Sequence, residues 1–177
     1  FDFYRFRDGA YGLLIADVAG HGMSASLIMA NLQASLHILV TDHDTLDDVV
    51  RRLNQLFYHN INMTSFVSLF LARFDSQTNE LTYCNAGHNP PLHYRPQANG
   101  QEPLTWLRPT GAAIGLSEAL KFSADTITLK PGDLLLLYTD GVTESTNPHE
   151  EEFGPDRLAE VVQQDPFYAP DLYRIAN

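Results

Sequence analysis

A chain of 177 residues, 44% of them hydrophobic, is long and apolar enough for one domain with a core. Its formal net charge of −11, with seven histidines counted neutral, argues against the basic surface that nucleic acid requires. Its single cysteine excludes an internal disulfide and a thiolate metal cage. No apolar run is read as approaching the roughly 18 residues of a spanning helix, no signal peptide is visible, and a cytoplasmic location fits best. Strand-like residues begin at once with Phe1, so the sequence is expected to open inside a domain.

Residues 1–6 alternate aromatic and polar side chains, the pattern of an edge strand, and 7–10 supply a hairpin turn. Residues 11–16 return as an apolar strand that ends at Asp17. Gly20 and Gly22 then permit a tight turn into a helix. A carboxylate at that point is either a helix cap or a ligand holder. Because a hairpin pairs its open ends, Asp2 is expected near Asp17. Residues 23–40 read as a helix with Ser24 as N-cap. Its apolar face is built on Leu27, Ala30, Asn31, Ala34 and Ile38 and widened by Leu32, Leu36 and Leu39. A polar break at 41–44 precedes a second helix. It starts at Thr45, with Asp48 completing a capping box and a stripe of Leu46, Val49, Val50, Leu53, Leu56 and Phe57.

Strands are expected at 65–74 and 80–85 around a turn at 75–79, then a polar corner from Asn85 to Pro91 and a short strand at 92–95. A loop tip covers 97–102, and a further short strand covers 104–107. The glycine-bearing stretch 110–115 lacks the lysine and spacing of a nucleotide-binding loop. Residues 122–129 alternate as a strand. A turn at 130–133 leads to the leucine run 134–139, which stops at Asp140-Gly141. An acidic loop at 142–154 and a short helix at 155–164, with Leu158, Val161 and Val162 inward, follow; after Asp165 the pattern weakens. Cys84 reads as a small buried hydrophobe. His37, His43, His59, His93 and His149 lack ligand spacing and read as surface or packing residues. Glu150, Glu151 and Glu152 read as a solvated face. The fold class is α+β, antiparallel sheet layers with amphipathic helices outside them.

Asp17 and Asp140 thus share one context, the end of an apolar strand beside a turn. Two carboxylates brought together repel unless a cation lies between them, and oxygen donors select hard cations such as magnesium or manganese.

Five stretches in order, DVAGHG at 17–22, NAGHNPP at 85–91, PTGAAIGL at 109–116, LKPGDLLLLYTDGVTE at 129–144 and EEEFGPDRL at 150–158, resemble the PPM-type metal-dependent serine/threonine phosphatases. The similarity is to the bacterial branch that acts on anti-anti-sigma factors in sporulation and stress signalling. It implies an α-β-β-α sandwich of two antiparallel sheets, one domain over 1–177, and two Mn2+ or Mg2+ ions in a complete domain. It also implies metal ligands at Asp17, the Val18 carbonyl and Asp140, and an accessory or third-metal role near Asn85 and His88. Asp2 matches the tail of the family's G-G-D-x-x-D pattern, as a group that orients ligands or waters. The first aspartate of that pattern would fall before Phe1, and a further ligand strand would fall after Asn177. The domain is therefore expected to be incomplete at both ends and part of a longer multidomain signalling protein.

The function implied is hydrolysis of phosphoserine or phosphothreonine on a regulatory protein. A metal-activated water would attack phosphorus in line, without a covalent phosphoenzyme. Cys84 lacks the C-x5-R loop of tyrosine phosphatases, which argues against a cysteine nucleophile. The implied partners are a phosphorylated anti-anti-sigma factor and an upstream sensor or receiver domain, with no nucleic acid and no membrane segment. The alternative is a catalytically silent, phosphatase-like binding module.

Overall fold

The computed structural model describes residues 1–42, 45–60, 65–96 and 102–164. The expected break at 43–44, the loop tip at 97–101 and the tail after 164 lie outside these. The chain forms two compact units, one from Phe1–His88 with Pro109–Leu129, the other from Asn89–Arg108 with the chain from Lys130 onward.

In the first unit β1 (Asp2–Arg5), β2 (Tyr11–Val18), β3 (Val67–Asp75), β4 (Glu80–Ala86) and β7 (Asp125–Thr128) form one antiparallel sheet in the order β1-β2-β3-β4-β7. Side chains alternate across a strand, so one face carries Leu14, Val18, Val67, Leu69, Leu71, Cys84 and Ala86. Two helices, α1 (Met23–Asp42) and α2 (Leu46–Asn60), bury Leu32, Leu36, Val40, Val49, Val50, Leu53 and Phe57 against that face. Removing this much apolar surface from water is the main force holding the unit together.

Four expectations are corrected here. The α1 stripe of Leu27, Ala30, Asn31, Ala34 and Ile38 faces outward, with Leu27 60% and Ile38 66% exposed. The buried face instead runs through Leu32, Leu36 and Val40, supported by Ile28, Met29 and Leu39. Both stripes keep helical spacing, and spacing alone does not say which one meets the sheet. The helix starts at Met23, so Ser24 lies inside its first turn rather than capping it. With apolar residues on both sides, Met23–Val40 is an 18-residue helical stretch long and apolar enough, by length and composition, to cross a membrane, contrary to the first reading. Finally, Asp2 pairs with Leu14, not with a residue near Asp17. That register puts Asp2 three positions along β2 and, by alternation, on the opposite face of the sheet from Asp17.

In the second unit β5 (Leu92–Tyr94) pairs antiparallel with β6 (Leu104–Trp106) on one side and with β8 (Leu134–Leu136) on the other. A four-residue helix, α3 (Asp140–Thr143), stands where the acidic loop was expected to begin. The helix α4 (Gly154–Gln164) buries Leu158 and Val162 and packs against β5. Its apolar positions follow the 3.6-residue period expected of it.

Candidate functional site

Asp17 lies near the end of β2, directly across the ladder from Ser68 of β3. Cross-strand partners share a face, so both belong to the face turned away from α1 and α2. The Ser68 hydroxyl is 2.9 Å from Nδ1 of His88, which is only 2% exposed. Asn85 fixes the other end of this group, its Oδ1 accepting the His88 backbone N–H at 2.9 Å. Asn85 is itself clamped. Its N–H donates to the Thr110 hydroxyl at 3.0 Å, and its carbonyl accepts the N–H groups of Thr110 and Gly111 at 2.8 and 3.1 Å. Asp17, Asn85 and His88, singled out from sequence, are therefore brought together on one side of one sheet.

Ser68, which joins them, was missed. A lone serine in an apolar strand gives no signal of its own; only the strand register reveals that it faces Asp17. Asn54 was also missed. Wholly buried on α2, it accepts the Gly115 N–H at 2.9 Å and donates to the Ser117 carbonyl at 2.9 Å, fastening the 110–118 stretch to the helix layer. Gly87 allows the corner to close, since a Cβ there would lie 2.6 Å from the Ala113 nitrogen and its φ is +69°.

The turn after Asp17 needs its glycines for conformation rather than space. Gly20 and Gly22 have φ of +110° and +80°, yet a Cβ at either would meet nothing within 4 Å. Ala19 N–H donates to the Phe66 carbonyl at 2.9 Å, and Val67 exchanges both backbone bonds with Ile114. By the alternation of an antiparallel ladder, the Val18 carbonyl therefore points to the β1 side, past the Asp2–Leu14 pair. The Asp17 carboxylate accepts no hydrogen bond among the described residues. Asp2 differs. Its Oδ2 accepts from Gln33 Nε2 at 2.8 Å and lies 3.1 Å from His37 Nε2, and the Gln33 bond leads in holding its carboxyl below the usual range. Asp2 thus fastens β1 to α1, and His37 is part of that fastening.

Asp140, in the second unit, is the first residue of α3, after Thr139 in extended conformation. Its carbonyl accepts the Glu144 N–H at 2.7 Å and the Thr143 hydroxyl at 3.2 Å, while its carboxylate accepts nothing among the described residues. Beside α3 a cleft of about 480 Å3 is lined by residues that include Trp106, Tyr138, Thr143 and Glu144. His93, read from sequence as surface or packing, is a buried partner of Asp133, with Nε2 2.8 Å from Oδ2.

Among the described residues no three His, Cys, Asp or Glu side chains form a ready metal cage. The donors at hand are nonetheless of the right kind for a hard cation. Asp17 offers uncommitted carboxylate oxygens next to the outward Val18 carbonyl, and Asp140 offers a second uncommitted carboxylate.

The chain is 29% identical over 145 residues to the phosphoserine phosphatase RsbU of Bacillus subtilis, covering 81% of this chain and 42% of RsbU. It spans less than half the length of that relative. Among solved structures it is similar to the RsbU and RsbW domains of Rv1364c from Mycobacterium tuberculosis, with a TM-score of 0.78, 25% identity, and coverage of 94% of this chain and 46% of that one. A crystal structure of RsbX in complex with magnesium shares the fold at a TM-score of 0.63, with 14% identity and coverage of 94% of this chain and 79% of the other. The two antiparallel sheets and their helices are those of the PP2C-type α+β fold. The stage II sporulation protein E pattern matches residues 7–172, and the chain belongs to the SpoIIE family.

Proposed function

We propose that this chain is the catalytic domain of a metal-dependent protein phosphatase that hydrolyses phosphoserine or phosphothreonine on a regulatory protein, an anti-anti-sigma factor by the resemblance of its motifs. The observation that carries this reading is the Asp17 carboxylate, without a hydrogen bond among the described residues, at a strand end and beside the Val18 carbonyl, in a chain of the SpoIIE family. Asp17 with the Val18 carbonyl, and Asp140, are the residues that would hold divalent cations, Mn2+ or Mg2+. When bound, such a cation supplies Lewis-acid activation of water and neutralises phosphate charge. That neutralisation matters in a chain of net charge −11, which by itself repels a phosphoprotein. Ser68 and Asn85 hold His88 in place on the same sheet face. Asp2 holds β1, the partner of the strand that carries Asp17, to α1.

The β1–β2 register supports a second ion in a longer chain. Continued backwards, it brings the third residue before Asp2 opposite Asp17, where the family pattern carries an aspartate. An upstream sensor or receiver domain is the partner that fits a phosphatase controlled by signals.

A catalytically silent binding module is the second reading, favoured by the lack of a closed cage among the described residues. The test is Mn2+-dependent release of phosphate from a phosphoserine protein by the full reading frame. Asp17→Asn and Asp140→Asn are each expected to reduce release to background while circular dichroism stays unchanged, since each removes a charged oxygen at almost constant volume. Turnover that survives either substitution contradicts the assigned roles, and no turnover in the parent favours the silent module.

A further inference from the structure

The strand that leads to Asp140 has an unusual problem of register. β8 pairs with β5 through only three residue pairs, Tyr94–Leu134, His93–Leu135 and Leu92–Leu136. β8 and the residue after it, 134–137, are four leucines in a row. Register is ordinarily specified by which side chains must face the core. Here a slip of one residue, with 135–137 taking the places of 134–136, puts leucine where leucine was, so the apolar pattern does not exclude it. Such a slip would carry Asp140 about 3.3 Å along the strand direction.

What the leucines leave open, the preceding residue closes. Asp133 stands immediately before β8, its side chain 4% exposed. It receives three groups from the neighbouring strand and turn. Oδ2 lies 2.8 Å from His93 Nε2, accepts Arg95 Nη2 at 2.7 Å and accepts the Lys130 N–H at 2.9 Å. Arg95 Nε adds bonds of 3.1 Å to both oxygens. His93 and Arg95 flank Tyr94, the residue paired with Leu134, so both side chains reach the same carboxylate from either side of the terminal pair. A bidentate guanidinium and an imidazole on one buried carboxylate demand a single geometry. We propose that the His93–Asp133–Arg95 cluster is the register pin of β8, and that Asp133 is thereby a positioning residue for Asp140.

This inference rests on the reading of Asp140 as a metal ligand, and the experiment separates the two. Mn2+ is titrated calorimetrically into the full reading frame carrying Asp133→Asn, which keeps the side-chain shape, or Arg95→Lys, which keeps the charge but loses the fork. The same proteins give thermal unfolding curves and amide NMR spectra. Val162→Ala, a core truncation on α4 in the same unit, is the control for stability alone. The expected result is a loss of about tenfold in Mn2+ affinity in both pin variants, the size seen when groups that orient ligands are removed. The Gly141 amide signal should also move, with neither change in Val162→Ala. Pin variants that lower the unfolding temperature as Val162→Ala does, yet leave Mn2+ affinity and the Gly141 amide unmoved, overturn the proposal. A parent that binds no Mn2+ overturns the ligand reading instead, and the amide shift still decides whether Asp133 sets the register.

Discussion

At the scale of the residue, the chain shows how differently one side-chain type behaves with its surroundings. Among the described residues Asp17 and Asp140 are uncommitted, Asp2 is tied to α1, and Asp133 is buried under an arginine and a histidine. Cys84 offers a clean check on the assigned chemistry. Burial pushes its thiol up to about 11, so at neutral pH it is neither nucleophile nor ligand. It should resist a maleimide at pH 8 in the native state and react fully in urea; rapid native labelling would put it outside the core. Asp17 was legible from sequence because a strand, an acid and a glycine turn fall in succession. Ser68 and Asn54 were not, because a single polar residue in an apolar element announces only that some partner satisfies it. The partners are distant along the chain, as with Asn54 and Gly115, and only folding names them.

Among the elements, hydrophobic periodicity placed almost every strand and helix, because burial of one face is what makes each element fold. It failed where two faces are apolar. In α1 both stripes have helical spacing, and the sheet takes the one with Leu32, Leu36 and Val40. It failed again at β8, where four leucines in a row leave a one-residue slip open. The register pin has a pH signature. Burial works against the charged form of Asp133, but Arg95, the Lys130 N–H and His93 outweigh it and hold the carboxyl at about 2, against 3.8 unperturbed. A folded pKa below the unfolded one contributes stability that is complete above about pH 4 and lost as pH falls towards 2. The contribution is on the order of 2 kcal/mol. Urea unfolding at pH 5 and pH 2.5 should show a smaller acid-induced loss in Asp133→Asn than in the parent. An identical loss in both would mean the carboxylate is not held as described.

For the whole molecule, composition and charge narrowed the class, and five motifs in order named the family that residues 7–172 match. The fold followed, but the pairing of its parts did not. The hairpin that was expected to bring Asp2 to Asp17 instead sets them on opposite faces, because the turn at 7–10 fixes the register at Asp2–Leu14. The central claim is that Asp17 holds a catalytic divalent cation, and direct binding tests it with least interpretation. Mn2+ is titrated calorimetrically into the full reading frame and into its Asp17→Asn variant. The account predicts Mn2+ binding in the parent and a loss of at least about tenfold in affinity in the variant, because a carboxylate oxygen beside the Val18 carbonyl is replaced by a neutral amide. Equal stoichiometry and affinity in the two proteins would contradict it.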